Sequence, residues 1–202
     1  VRQGNLPCTE RSGKYYFNRE TLLSWAEAKE IHVEKKDLSR KKPSRIEKHN
    51  WHELKEAMQM GGLHRLKGNY EWDELYRYVS KLIPYGETIQ NQVFEQLVQR
   101  EELSSTALGH GLAVPHPRIP MKLELQDSLV LSVFLEDPID LKAPDQKPVF
   151  FLFLLLSREA REHLQFLSQI AKVLNVPCMP SFLSQSPSQE QLLEQFHQIL
   201  AQ

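Results

Sequence analysis

Cysteine, long apolar runs and net charge are all scarce in this chain. Two cysteines among 202 residues, Cys8 and Cys178, cannot build a disulfide framework, and neither has a metal-ligand pattern around it. They read as free thiols suited to a reducing cytoplasm. The longest apolar run, Val149–Leu156, has eight residues, far short of a membrane-crossing helix. It reads instead as a strand covered on both faces. No secretory leader pattern opens the sequence. A net charge of -1 excludes polyanion binding by the molecule as a whole. The expectation is a soluble cytoplasmic protein without membrane insertion.

The charge that is present is unevenly placed. Residues 1–50 carry 12 Lys and Arg against 7 Asp and Glu, so a basic head precedes an acidic body. Gly4-Asn5-Leu6-Pro7 signals a turn, Ser12-Gly13-Lys14 a reversal, and Tyr15-Tyr16-Phe17 an aromatic strand. Asn18 suits the cap of a helix that begins near Arg19. From Lys35 to Lys48 a basic connector contains Pro43, which disfavours a continuous helix. Trp51, Leu54 and Met58 then recur at helical spacing and stop at Gly61-Gly62. That helix is free to pack on either domain or on a second copy of the chain. The organisation expected is 1–34, a small hairpin-helix unit; 35–57, the connector and packing helix; and 58–202, the main domain.

In the main domain, Leu75, Val79 and Leu82 share a helical face behind the acidic turn of Glu71, Asp73 and Glu74. Ile89, Val93, Phe94 and Leu97 mark a second helix running to about Glu101. Strands follow at Leu112–Val114, Leu129–Leu135 and Val149–Leu156. Leu164, Leu167, Ile170, Ala171 and Leu174 mark a further helix, starting near Arg158 or Glu159, and Leu192, Leu193, Phe196 and Leu200 the last. Helices around several buried strands give an α/β sandwich with a mixed central sheet.

The segment richest in chemistry is Leu108-Gly109-His110-Gly111-Leu112-Ala113-Val114-Pro115-His116-Pro117. It sets an imidazole between two prolines at a strand end, after a glycine-punctuated turn. Neutral imidazole is a competent nucleophile near pH 7. Gly109 and Gly111 permit tight backbone geometry, and the prolines restrict the flanking chain. Arg100, sixteen residues earlier, has a guanidinium suited to clamping phosphate oxygens or to a salt bridge with Glu101 or Glu102. Thr106 offers a hydroxyl either to a phosphate or to the local turn. Arg118 lies close enough to steer an anion. A His110, His116 and His163 metal triad is conceivable by residue type, but Arg100 nearby argues for an anion and no carboxylate has ligand spacing.

The run Arg100-Glu101 through Ser105-Thr106 to Gly109-His110-Gly111-Leu112-Ala113-Val114-Pro115-His116 closely resembles the phosphorylation-site signature of the mannitol/fructose and nitrogen-regulatory class of IIA domains in the phosphoenolpyruvate-dependent phosphotransferase system. The resemblance extends over about residues 58–202 and includes Pro138, Asp145-Gln146-Lys147-Pro148 and His163-Leu164. It implies a IIA type-2-like sandwich that takes a phosphoryl group on His116, through Nε2, from an HPr-type or nitrogen-related carrier. It also implies that His163 lies beside the acceptor, that Arg100 lines the site, and that no cofactor or metal takes part. His110 stands where the family often has asparagine. Three roles follow from the resemblance: a regulatory phosphoacceptor, a sugar-transport phosphocarrier serving a separate IIB domain, or a binding module that keeps only the fold. The first is the leading reading. Val1-Arg2-Gln3-Gly4-Asn5-Leu6-Pro7 resembles the end of the winged modules of the excisionase and MerR type. The bulk of such a module's helix-turn-helix is absent from this sequence, so DNA binding is expected only through residues upstream of Val1.

Overall fold

The computed structural model of the protein describes residues 7–11, 14–29, 51–118 and 125–201. The Gly4–Leu6 turn, the reversal at Ser12-Gly13 and the basic connector lie outside them. The chain divides into two compact units, 1–46 and 47–202.

In the first unit, β1 (Thr9–Arg11) and β2 (Lys14–Tyr16) pair antiparallel, and α1 (Arg19–Ala28) follows. Asn18 caps this helix: its Oδ1 accepts from the amides of Glu20 at 2.9 Å and Thr21 at 3.2 Å.

The second unit is built on a five-stranded mixed sheet. Its members are β3 (Leu63–Leu66), β4 (Ala107–Gly109), β5 (Leu112–Ala113), β6 (Leu129–Ile139) and β7 (Val149–Leu156), in the order β3-β6-β7-β5-β4. β3 runs parallel to β6 and β5 parallel to β7, while β6–β7 and β4–β5 are antiparallel. Strand β7 shows why its sequence is apolar throughout. Leu152, Leu154 and Leu156 join a core with Tyr76, Val79, Val93 and Leu97 on one face of the sheet. Phe151, Phe153 and Leu155 join a second core with Leu54, Phe166, Ile170 and Phe196 on the other. Helices α3 (Trp72–Lys81) and α4 (Glu87–Leu103) supply the first layer. The second comes from α2 (Trp51–Gly61), α5 (Ala160–Leu174), α6 (Met179–Ser184) and α7 (Gln189–Leu200).

Helix α2 spends its apolar stripe inside this unit, against β6 and α7. Its last residue shows how close that approach is. A Cβ on Gly61 would lie 2.4 Å from the Val130 carbonyl oxygen.

Three details depart from the sequence reading. Strand β6 continues past Leu135 to Ile139 and carries Pro138 through an irregularity in its pairing with β7. Pro is tolerated where a ladder is interrupted. β3 and α6 were not foreseen; β3 buries only Leu66 fully, and α6 has six residues. On α5, Ile170 and Leu174 are buried as expected, but Leu164 is 68% exposed, and the buried stripe also takes in His163, Phe166, Gln169 and Val173. A polar histidine therefore occupies a position that periodicity alone assigns to an apolar residue.

Candidate functional site

The loop at the carboxyl end of β5 carries His116. Beyond β5 the chain stays tied to its neighbours: the Val114 amide donates to the Thr106 carbonyl at 3.1 Å, and the Leu155 amide donates to the Pro115 carbonyl at 3.0 Å. Val114, Pro115 and Pro117 are buried, and the His116 ring is half-buried at the end of this extended segment. Its Nδ1 lies 2.7 Å from the Val114 carbonyl oxygen. A carbonyl only accepts, so Nδ1 carries the proton and Nε2 keeps a lone pair in the neutral ring. Burial, reinforced by the Arg100 charge, holds His116 below the ordinary histidine range; the Val114 carbonyl and Glu101 act in the opposite direction.

His163 reaches the same place from α5. Its amide donates to the Glu159 carbonyl at 2.9 Å, among the helix's first backbone bonds, and its ring is 5% exposed. The two histidine rings lie 5.3 Å apart between centroids, tilted by 53°. His163 Nδ1 is 3.3 Å from the Ser157 hydroxyl, at the end of β7. With that hydroxyl donating, Nε2–H of His163 is left as a donor. Burial, then the proximity of His116, pushes its pKa down to about 4. Both rings are neutral at pH 7.

Arg100 sits in the last turn of α4, a favourable place for a cation. One terminal nitrogen donates to the Ser104 carbonyl at 2.6 Å, so the contact is to the backbone and not to Glu101 or Glu102. Its charge is felt at His116. Thr106 is buried, and its hydroxyl donates to Glu101 at 2.7 Å. The same carboxylate accepts from the Thr106 amide at 3.0 Å and from the Tyr76 hydroxyl at 2.8 Å. Burial and this neighbouring carboxylate push the Tyr76 phenol upward. Arg118 is exposed.

The glycine turn before β5 is a two-residue hairpin connection. Gly109, His110 and Gly111 have φ of 94°, 54° and 78°. His110 thus takes the left-handed conformation that favours asparagine or glycine, with its side chain exposed. Its amide donates to Asp145 Oδ2 at 2.7 Å, while Asp145 Oδ1 accepts from the Lys147 amide at 3.2 Å. The first of these bonds is the main reason Asp145 is held below the usual carboxylate range. A Cβ on Gly111 would lie 2.4 Å from the Phe150 ring. Among the described residues, no three His, Cys, Asp or Glu side chains form a metal-binding group. No helix among them is long and apolar enough to cross a membrane.

The Glu101–Tyr76–Thr106 cluster and the Asp145 bond to the hairpin had no separate sequence signal. Glu101 and Asp145 stand inside recognisable motifs, but their partners lie on other elements.

The second unit is thus a mixed sheet covered on both faces by helices, with a histidine pair at one end. Residues 65–201 match the family described as phosphoenolpyruvate-dependent sugar phosphotransferase system, EIIA 2, and the chain belongs to that family. A nitrogen regulatory protein of Bradyrhizobium diazoefficiens is 37% identical over 111 residues, 54% of this chain and 71% of that one. One from Pseudomonas aeruginosa is 39% identical over 104 residues, 50% of this chain and 66% of the relative. Among solved structures, the nitrogen regulatory protein IIA-Ntr from Neisseria meningitidis superposes with a TM-score of 0.60 at 28% identity, covering 71% of this chain and 98% of that one. The mannitol IIA of Escherichia coli shares the fold, with a TM-score of 0.52 at 17% identity over 66% of this chain and 94% of its own. The second unit is a IIA-type phosphocarrier domain.

Proposed function

We propose that His116 accepts a phosphoryl group on Nε2 from a phosphohistidine of an HPr-type or nitrogen-related carrier, and that its phosphorylation state is a regulatory signal. The observation that supports this most is the bond from His116 Nδ1–H to the Val114 carbonyl. It leaves the Nε2 lone pair as the nucleophile, beside a second neutral histidine.

The step balances without a net proton transfer. The Nε2 lone pair forms a bond to phosphorus as the phosphorus–nitrogen bond of the donor breaks. The donor ring starts as a phosphorylated imidazolium, protonated on its other nitrogen, so the bonding pair that returns to it lets it leave as neutral imidazole. His116 becomes a phosphorylated imidazolium whose positive charge is shared with Nδ1–H, and the Val114 carbonyl accepts that stronger donor. The Nε2–H of His163 and the guanidinium of Arg100 are assigned to the phosphoryl oxygens. Thr106 is assigned to holding the loop, since its hydroxyl is given to Glu101.

The regulatory role is favoured over transport because the curated relatives named above are nitrogen regulatory proteins. A homodimer would need a face other than the α2 stripe, which is buried within the chain. The hairpin and helix of the first unit are read as the end of a winged DNA-binding module, and a cytoplasmic location fits the whole.

The test is incubation of the purified chain with phosphoenolpyruvate, Enzyme I and HPr, followed by intact-mass analysis at neutral or basic pH. The expected result is an acid-labile gain of one phosphoryl group that maps to His116 and is absent from His116→Ala. In His163→Ala, slower gain or faster loss of the group is expected. Failure with both HPr and the nitrogen-related carrier would refute the phosphoacceptor reading. Rapid passage of the group to a IIB protein would favour transport.

A further inference from the structure

The geometry points to Glu101 as a positioning residue: by gripping Thr106, its carboxylate sets the tautomer and orientation of His116 through the backbones of Thr106 and Val114. The functional consequence rests on His116 being the phosphoryl acceptor; the structural consequence does not.

A continuous hydrogen-bond path carries the argument. Glu101 Oε2 accepts from the Thr106 hydroxyl at 2.7 Å and from the Thr106 amide at 3.0 Å, while Oε1 lies 3.2 Å from the same amide. The other face of Thr106, its carbonyl, accepts from the Val114 amide at 3.1 Å. The carbonyl of Val114 accepts from His116 Nδ1 at 2.7 Å. The amide and carbonyl of Thr106 lie in consecutive peptide planes, as do those of Val114, so each link restrains the next across one Cα. The starting point is anchored in turn, because the buried Tyr76 donates to Glu101 from α3 at 2.8 Å.

The β-ladder alone is a weak substitute for this anchor. β4 has three residues and β5 two, β4 is an edge strand, and their pairing shifts register between Ala107 and Gly109. Thr106 precedes that pair in a segment that is neither helix nor strand. A charged acceptor that takes two donors from one residue holds it more firmly than neutral bonds would. Electrostatics strengthens the case. A carboxylate whose field reaches His116 opposes an incoming anionic phosphoryl group, so its charge does not serve phosphoryl binding. Three neutral donors stabilise that charge without removing it, and orientation is what the arrangement supplies.

The experiment compares the full chain with Glu101→Gln, Tyr76→Phe and Thr106→Val. Gln keeps one acceptor oxygen but removes the charge and sets an amide donor where Oε1 faces the Thr106 amide. Tyr76→Phe removes a donor outside the path and leaves both Thr106 bonds in place. Long-range nitrogen–proton NMR of the unphosphorylated proteins reads the His116 tautomer. Single-turnover phosphorylation at varied phospho-HPr separates the maximal rate from half-saturation, and thermal unfolding verifies that each variant is folded. In Glu101→Gln, the single Nδ1–H tautomer should become a mixture, with the maximal rate reduced about tenfold and half-saturation changed less than about twofold. Thr106→Val should move tautomer and rate in the same direction, by less. Tyr76→Phe should lower the melting temperature yet keep the wild-type tautomer and a rate within about twofold.

Folded Glu101→Gln with one Nδ1–H tautomer and the wild-type rate overturns the inference. Should Glu101→Gln fail to fold, Thr106→Val with unchanged tautomer and rate overturns it equally. If the wild-type chain takes no phosphoryl group from either carrier, the phosphoacceptor reading fails. The tautomer measurement still decides whether Glu101 positions the ring.

Discussion

Acidification should destabilise this protein through His163 in a way that a non-titrating substitution removes. The free side chain titrates near 6.5, but burial and His116 push the folded value down to about 4. At 1.36 kcal/mol per pH unit, that gap corresponds to about 3 kcal/mol. Water reaching the site beside half-buried His116 trims the expectation to about 2–3 kcal/mol. The sign follows from proton uptake. Above pH 6.5 the ring is neutral whether the chain is folded or unfolded, so it adds no pH dependence. Between 6.5 and about 4 the unfolded chain binds the proton and the folded one does not, so stability falls as pH falls. Below that the folded form binds it too, and the loss levels off. Urea unfolding of wild type and His163→Asn, run from about pH 7.5 to about pH 4, isolates this contribution, because carboxylates common to both proteins cancel. Wild type should lose about 2–3 kcal/mol more than the variant across the window. Parallel curves, or an NMR midpoint for His163 near 6.5, would refute the reasoning.

Two further perturbations test the hairpin that leads into the site. Gly111→Ala combines a left-handed φ of 78° with a Cβ set 2.4 Å from Phe150, so urea unfolding should show a loss of about 2–4 kcal/mol. A loss below about 0.5 kcal/mol would mean that Phe150 and the turn relax freely. Asp145→Ala removes the acceptor of the His110 and Lys147 amides, and hydrogen exchange at His110 should accelerate while exchange in β7 does not. Uniform acceleration through the sheet would show global destabilisation instead.

How much of this was legible in advance depends on how local each feature is. The segment from Arg100 to His116 is nearly continuous, and its glycines, prolines and histidine have meanings that need no distant partner. The alternation of faces along β7 needed only its length and apolar run. Tyr76 carries no signal of its own in the sequence, because its hydroxyl gains significance only once Glu101 on α4 is opposite it. Asp145 meets the hairpin 35 residues away in sequence. Strand β3 has four residues with a mixed pattern, too little for period-2 reading. On α5 the periodicity located the helix and placed Ile170 and Leu174 inward, but it misassigned Leu164, since the chain buries His163 beside it.

That misassignment connects the packing to the chemistry. A histidine in a core stripe loses water, and the loss keeps it neutral without help from an acid or base. Ser157 then partners Nδ1, as the Val114 carbonyl partners Nδ1 of His116. The same burial that costs stability at low pH therefore produces two uncharged rings with hydrogen-bonded Nδ1 atoms. Glu101, held by Tyr76 and Thr106, contributes a negative charge that is felt at His116. Beside two uncharged rings, a phosphoryl group carrying a charge of about -2 on His116 would, on the proposed reading, alter the local field strongly, with Arg100 as the neighbouring cation. A site arranged in this way would convert one covalent event into an electrostatic difference between two states of the same surface, which is what the proposed regulatory phosphoacceptor requires.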